Sequence, residues 1–486
     1  MIKPRSNVTA EGWGQAIDRL ANGSLTLLAL WGDAPNVHMA TLDEAAGDIA
    51  VLTYACVDGT YPSVGAKHPP ALRPERAIRD LYGLEAAGSP DTRPWLDLGF
   101  WDVRHPLATK EPAQKPGAYA FLPVEGESLH QIPVGPVHAG IIEPGHFRFA
   151  ANGEHVVRLE QRLGYVHKGI ESLMTGATLE TAAKLAGRTS GDSTVAYAYA
   201  FAQAVEAALQ IKAPPRALYL RALMAELERL ANHFGDIGAI CNDAAFAMMH
   251  AQTGILRERV LRAADVCFAH RLMMDAIVPG GVARDLTAEG IALIKALFAE
   301  IRRVFPRLIE LYDNTASLQD RTVTTGIVKA EYVRRFGAGG YVGRASGRNF
   351  DARRNVAYAP YDKLAFEVPL RDEGDVNARV WIRIREAEQS LSLIEQILAV
   401  LPAGEIRVDL KTNGKHGEGL GLTEAFRGDV LVWLRIGGDG RIERCHLRDA
   451  SWFQWPLLET AIEGNIVADF PLCNKSFNCS YSGHDL

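Results

Sequence analysis

No C-x-x-C pair occurs in this 486-residue chain, whose six cysteines, Cys56, Cys241, Cys267, Cys445, Cys473 and Cys479, lie scattered. Scattered thiols fit a reduced state better than a disulfide frame, and they supply no ligand set for an iron–sulfur cluster or a structural zinc. Long hydrophobic runs are missing as well: nothing approaches the roughly 20 apolar residues that span a bilayer. The opening MIKPRSNVTAEGWG has no apolar centre of the signal-peptide kind. A cytoplasmic chain without a membrane span of its own is therefore the expectation. Basic runs are absent too, and with a formal net charge of −6 the chain advertises no phosphate-neutralising surface, which argues against nucleic acid as a partner. What remains is an ordinary soluble composition, 48% hydrophobic and 23% charged, on a length that suits two or more domains.

The pattern along the chain predicts an α+β protein: a small N-terminal α+β domain, then a mainly α-helical bundle domain with peripheral β-hairpins. Residues 25–30, 37–41 and 49–55 read as strands, and a helix over 74–82 opens on Pro74, where a missing N–H costs least. The domain is placed at 1–98. Residues 99–133, rich in Pro, Gly and Lys, read as an extended linker, and the second domain runs over 134–486. It begins with two strands, 147–151 and 155–159, flanking an Asn-Gly turn signal. Leu220, Leu223, Leu227, Leu230, Phe234 and Ile237 then repeat at spacings of three and four, one face of a long helix. That stripe reads as core packing. Further helices are expected over 252–274, 287–311 and 377–401. The Gly-rich stretch 336–354 reads as a loop without a nucleotide fingerprint. A hairpin around Gly437–Gly440 and a mostly irregular tail close the chain.

One junction stands out. In AKLAGRTSGDSTVAYAYAFAQAVE, small and polar residues 188–193 precede a helix-like run in which Tyr and Phe alternate with Ala. Tyr197, Tyr199 and Phe201 cannot all face one side of a helix, so they serve different neighbours. Asp192 or Ser193 can cap that helix by accepting an orphan backbone N–H.

The segments GPVHAGIIEPGHFRF, LGYVHKGIE, ELERLANHFGDIGA, GRASGRNFDARR and DFPLCNKSFNCSYSGHDL resemble, in this order, the large catalytic subunit of group 4 nickel–iron hydrogenases and its relative, the 49 kDa subunit of respiratory complex I. PERAIRDLYGLEAAGSPDTRPWL is similar to the complex I 30 kDa subunit, which is fused to the large subunit in formate-hydrogenlyase-type enzymes. The family's nickel–iron site is held by two C-x-x-C pairs, whose soft sulfur donors suit both metals. The matching positions here are Ser190 and Ser193, then Ser480 and Gly483, so the resemblance implies an emptied metal site with no metal bound by this chain. Cys479 falls one residue before a ligand position.

Complex I uses the corresponding space for a quinone headgroup, with a Tyr and a His as partners. The position matching that Tyr is Gly191, and His138 lies in the matching loop, although the sequence over 141–144 follows the hydrogenases. Glu143 matches a glutamate that relays protons in hydrogenases, and a carboxylate in a partly dry cavity is suited to that task; a salt bridge or helix-end contact is the plainer alternative. His138 and His146 can extend such a path or simply bond to backbone. Arg188 matches an arginine that can line the cavity, and Asp192 is either a relay or the helix cap. His167 and Glu171 share a helix face, a spacing open to a metal or to helix-start contacts. The implied function is a peripheral subunit of a membrane-bound complex-I-like oxidoreductase. Its expected partners are a small iron–sulfur subunit carrying a 4Fe-4S cluster and multi-span membrane subunits. Electrons would pass to quinone or another small acceptor, coupled to ion movement. The alternatives are a non-catalytic coupling subunit and, least favoured, an active hydrogenase.

Overall fold

The computed structural model describes residues 5–138, 142–410, 414 and 416–486. The fold is α+β. In the N-terminal domain, the strands Thr26–Asp33, Asn36–Asp43 and Asp48–Ala55 form an antiparallel meander, and the short strand Ser6–Asn7 adds in parallel to the last of them. Helix Ala10–Ala21, capped by the Thr9 hydroxyl, buries Trp13, Ile17 and Leu20 against one face together with helix Leu72–Tyr82. The sequence LLALW in the edge strand is apolar on both faces, and both are covered. Leu27 and Leu30 meet the helices, while Leu28 and Trp31 meet a second sheet in the other domain. Trp31 and Trp433 lie 5.4 Å apart across that seam, and Arg435 of the second sheet pairs with Asp33 at 2.6 Å. Strand burial on both sides thus ties the domains into one core.

That second sheet is antiparallel, Gly417–Ala425, Gly428–Ile436 and Ile442–Arg448 in order. Its other face receives helix Thr194–Leu209. Alternate glycines make the contact: a Cβ on Gly419 would lie 1.9 Å from the Ala204 carbonyl oxygen, and one on Gly421 2.0 Å from that of Ala200. Alanines on the helix and glycines on the strand let two backbones approach, which explains the Ala-rich run after residue 193. Tyr197 and Tyr199 do diverge, reaching Asp449 and the Ala359 carbonyl respectively.

The bundle comprises helices Pro215–Asp243, Ala247–Phe268, Ala288–Asn314 and Val376–Val400, with the Leu220–Ile237 stripe fully buried. Its polar interior is as ordered as its apolar one. His233 and Arg344 both bind Glu386, Arg344 also binds Glu424, and Arg353 binds Glu226 and Asp351, all essentially inaccessible to solvent.

Three expectations need correction. Residues 129–133 are not linker: Leu129–Val134 pairs with His146–Asn152, making a three-stranded sheet with His155–Arg162. The Gly-rich stretch contains a buried helical turn, Gly340–Ala345, and runs into a second, Ala352–Asn355, that buries Ala352 and Arg353; both are held by the Arg344 and Arg353 ion pairs. The tail is helical, with Ser451–Ala461, Phe470–Phe477 and Tyr481–Asp485 packed into the core, because Trp455, Phe470 and Phe477 bury against Phe147 and Tyr341. Short helices that take their stability from tertiary contacts leave little periodic trace in sequence.

Candidate functional site

The junction and the tail meet. A tight turn over Gly191–Ser193 presents Ser190 and Ser193, and the Ser480 side chain comes from the start of the last helical turn. Ser190 Oγ and Ser480 Oγ are 3.0 Å apart. Ser480 Oγ also accepts from the Gly483 N–H at 2.9 Å, while the Ser480 N–H donates to Ser451 Oγ at 2.8 Å. A Cβ at Gly483 would stand 2.7 Å from Asp449 Oδ2, an oxygen held in place by the Tyr197 hydroxyl at 2.8 Å. The four motif positions therefore converge into one buried, hydrogen-bonded cluster.

Arg427, in the turn between two strands of the second sheet, reaches across this cluster. Its guanidinium forms a two-pronged pair with Asp192 at 2.7 and 2.5 Å, donates to Ser193 Oγ at 3.2 Å, and also donates to the Asn478 carbonyl. Ser190 Oγ donates to Asp192 at 2.8 Å. Burial by itself would raise the Asp192 carboxyl, but Arg427 and the two serines together hold it below the usual range. Asp192 is thus an ion-pair partner, and the helix-cap expectation fails: neither Asp192 nor Ser193 caps helix Thr194–Leu209. Glu228, from the facing helix, does so, accepting the N–H groups of Val195 at 2.7 Å and Ala196 at 3.2 Å. Its burial pushes its carboxyl up to about 8.

The remaining predicted residues lie around this centre. Glu143 is exposed and its carboxylate accepts from the Ser482 N–H at 3.0 Å, so the loop and the tail are joined directly. His138 packs beside Phe147 and Tyr481, its Nε2 has no partner among the described residues, and burial lowers its affinity for a proton. Residues 139–141 of the same motif lie outside the described residues. Gly191 is exposed at the turn. Arg188 points away from the centre, into an ion pair with Asp275 at 2.7 Å. His146 bonds to the Gly135 carbonyl at 3.3 Å. His167 bonds to the Asp485 carbonyl and Glu171 to His446, so the two do not share a ligand. Among the described residues no cluster of His, Cys, Asp and Glu side chains is placed to hold a metal ion. Cys479 is buried beside Gln454, and burial raises its thiol above the ordinary range.

Sequence reasoning missed Arg427, Asp449 and Glu228. Arg427 and Asp449 come from a sheet whose approach to the junction follows only from the glycine–alanine contact. Glu228 carried one faint signal, a carboxylate in a stretch otherwise spent on core packing.

Residues 243–415 match the family "Respiratory-chain NADH dehydrogenase, 49 Kd subunit", and residues 34–117 match the corresponding 30 Kd subunit family. Formate hydrogenlyase subunit 5 of Escherichia coli is 33% identical over 87% of this chain and 77% of its own length. Hydrogenase-4 component G of the same organism is 31% identical over 92% and 80%. The carbon monoxide-induced hydrogenase of Rhodospirillum rubrum is 32% identical over 72% and 98%. The chain belongs to the family of complex I 49 kDa and membrane-bound hydrogenase large subunits, with a 30 kDa-type domain fused ahead of the large domain.

Proposed function

We propose that this chain is a peripheral, cytoplasmic-side subunit of a membrane-bound complex-I-like oxidoreductase that does not use a nickel–iron centre. The observation that carries this reading is the cluster of Ser190, Ser193, Ser480 and Gly483. A nickel–iron group requires four soft thiolates, whereas these positions offer three hydroxyls and a hydrogen. The hydroxyls of Ser190 and Ser480 are bonded to each other, and a Cβ at Gly483 would press on the Asp449 carboxylate at 2.7 Å. The residues do not fit the group. Among the described residues, no helix is long and apolar enough to cross a membrane, which suits a subunit that docks on membrane partners.

In this reading an iron–sulfur partner supplies electrons, and quinone or another small acceptor receives them. Glu143, joined to the tail through Ser482, is the proposed proton carrier, and His138, packed on Tyr481, is the proposed second group. A second reading, conformational coupling without redox chemistry, draws on the Arg427–Asp192 pair, which links the junction, the sheet and the tail mechanically. Purification from native membranes in mild detergent should recover an iron–sulfur protein and multi-span subunits with this chain, and metal analysis should find no stoichiometric nickel. Stoichiometric nickel with hydrogen-dependent dye reduction would overturn the proposal, as would recovery of a free monomer.

A further inference from the structure

The polar interior of the large domain is one connected network of ionisable side chains. Four are the carboxylates of Glu226, Asp351, Glu386 and Glu424, three are the guanidiniums of Arg229, Arg344 and Arg353, and one is the His233 imidazole; none is more than 3% exposed. Arg344 lies 2.7 Å from Glu386, 3.0 Å from Glu424 and 3.2 Å from Asp351. Arg353 lies 2.6 Å from Asp351 and 2.9 Å from Glu226, and Arg229 closes the circuit at 3.4 Å from Glu226 and 3.7 Å from Glu386. His233 Nε2 stands 2.8 Å from Glu386.

The charges in this network do not cancel, because four carboxylates face three arginines. The charged groups that face it from neighbouring elements are engaged elsewhere: Asp429, beside Glu424, pairs with Arg448, and Arg383, beside His233, pairs with Asp236. A lone excess charge in a dry interior is costly, and a titratable group there takes up a proton instead.

Geometry selects the group. Glu226 touches two arginines and accepts from the hydroxyls of Tyr361 and Ser390, both at 2.7 Å. Asp351 and Glu386 also touch two arginines each, whereas Glu424 touches Arg344 alone and accepts the Ala352 N–H at 2.8 Å. Burial and the nearby Asp351 raise the Glu424 carboxyl accordingly. His233 is the other candidate, but its Nδ1 has no hydrogen-bond partner among the described residues. An imidazolium would bury an unpaired N–H there, while the neutral ring leaves only a bare lone pair.

We propose that this network is a proton-binding site, which holds a single proton at neutral pH on Glu424 as a neutral carboxylic acid. Charge and packing carry this whether or not the chain passes electrons. The site adjoins the centre through one strand end: Arg229 also grips the carbonyls of Glu424 at 2.7 Å and Ala425 at 3.1 Å, just before the turn that sends Arg427 to Asp192. Losing the proton would put an uncompensated charge on the strand that seats Arg427.

Infrared difference spectroscopy of the purified full chain at neutral pH tests the assignment. The parent should show the carbonyl stretch of a protonated, buried carboxyl that is lost in Glu424→Gln. Glu386→Gln leaves Glu424 in place but makes the network three against three, so the same band should vanish there as Glu424 ionises. Asp351→Asn changes the count in the same way from the far side of Arg344 and serves if Glu386→Gln does not fold; a cooperative melting transition verifies each variant. Glu228→Gln, outside the network, should keep the band. A carboxyl spectrum unchanged by Glu424→Gln would overturn the proposal. So would a band that is lost in Glu424→Gln but survives neutralisation of Glu386 or Asp351, since the proton would then answer to Glu424's own surroundings and not to the network.

Discussion

Ser190 and Ser480, 290 positions apart in the chain, share a hydrogen bond of 3.0 Å at the centre of the large domain. The contact closes a cluster in which Arg427 supplies the positive charge and Asp192 the negative one. Two segments separated by the whole helical bundle are thereby joined by hydroxyls and an ion pair.

The Arg427–Asp192 pair should be measurable as stability. Arg427 is 4% exposed and Asp192 35%, so water screens one partner. Removing one member of a fully buried pair costs roughly 3–5 kcal/mol; with the screening, Arg427→Met should cost about 2 kcal/mol. Adding Asp192→Asn should restore part of that loss, since the uncompensated carboxylate is then gone. Urea denaturation midpoints of the two single variants and the double variant test this. Purely additive losses would show that the pair is not a coupled unit.

Much of this centre was legible in sequence, and the reasons for the rest are physical. The four motif positions follow from the resemblance to a known family, carried by local motifs, and the bundle stripe from its period of three and four, because both are local or strictly periodic signals. The partners of those positions were not. Nothing near Arg427 in sequence marks it as the counter-ion of a residue 235 positions away. The Asp192 cap expectation rested on a sound local rule, but Arg427 competes for the same carboxylate, and Glu228 takes over the orphan N–H groups. The tail reads as irregular because its helices are only one to three turns long and owe their form to Trp455, Phe470 and Tyr481 packing against other segments. The strand Leu129–Val134 contains Pro133 and sits at a sheet edge, where proline is tolerated.

Glu228 should give the chain a distinctive pH dependence. Its carboxyl, ordinarily near 4.5, is pushed by burial up to about 8, despite the two backbone N–H groups that favour the charged form. Between these values the folded chain holds a proton that the unfolded chain releases. The contribution is therefore fully present below the unfolded value and is lost as pH rises through the folded one. Stability should fall with rising pH across that window, by up to about 1.4 kcal/mol per pH unit from this group. Glu228→Gln keeps one oxygen for the Val195 N–H and cannot titrate. It should be somewhat less stable at low pH but should lose this slope, as read from urea midpoints at several pH values. An unchanged slope would place the titration elsewhere.

The proposed proton role of Glu143 makes a kinetic prediction. Its carboxylate is exposed to solvent on one side and bonded to the Ser482 N–H on the other, two residues from the Ser480 position. A group so placed can exchange protons with water and present them to the centre, and His138 has a ring nitrogen with no partner among the described residues. Glu143→Gln retains an oxygen for the Ser482 N–H, so the loop and the tail should stay joined, and assembly and melting temperature should match the parent. The exchangeable proton is gone, however. General acid–base groups typically contribute about 10²–10⁴-fold, so acceptor reduction per assembled complex should fall by at least about tenfold. A contact that is only structural gives the opposite pattern, poorer assembly or lower stability with turnover per assembled complex preserved. Glu143→Ala separates the two further, because it removes the Ser482 contact along with the proton. If the Gln variant turns over at the parental rate while the Ala variant assembles poorly, Glu143 is a tether for the tail and proton delivery uses another path.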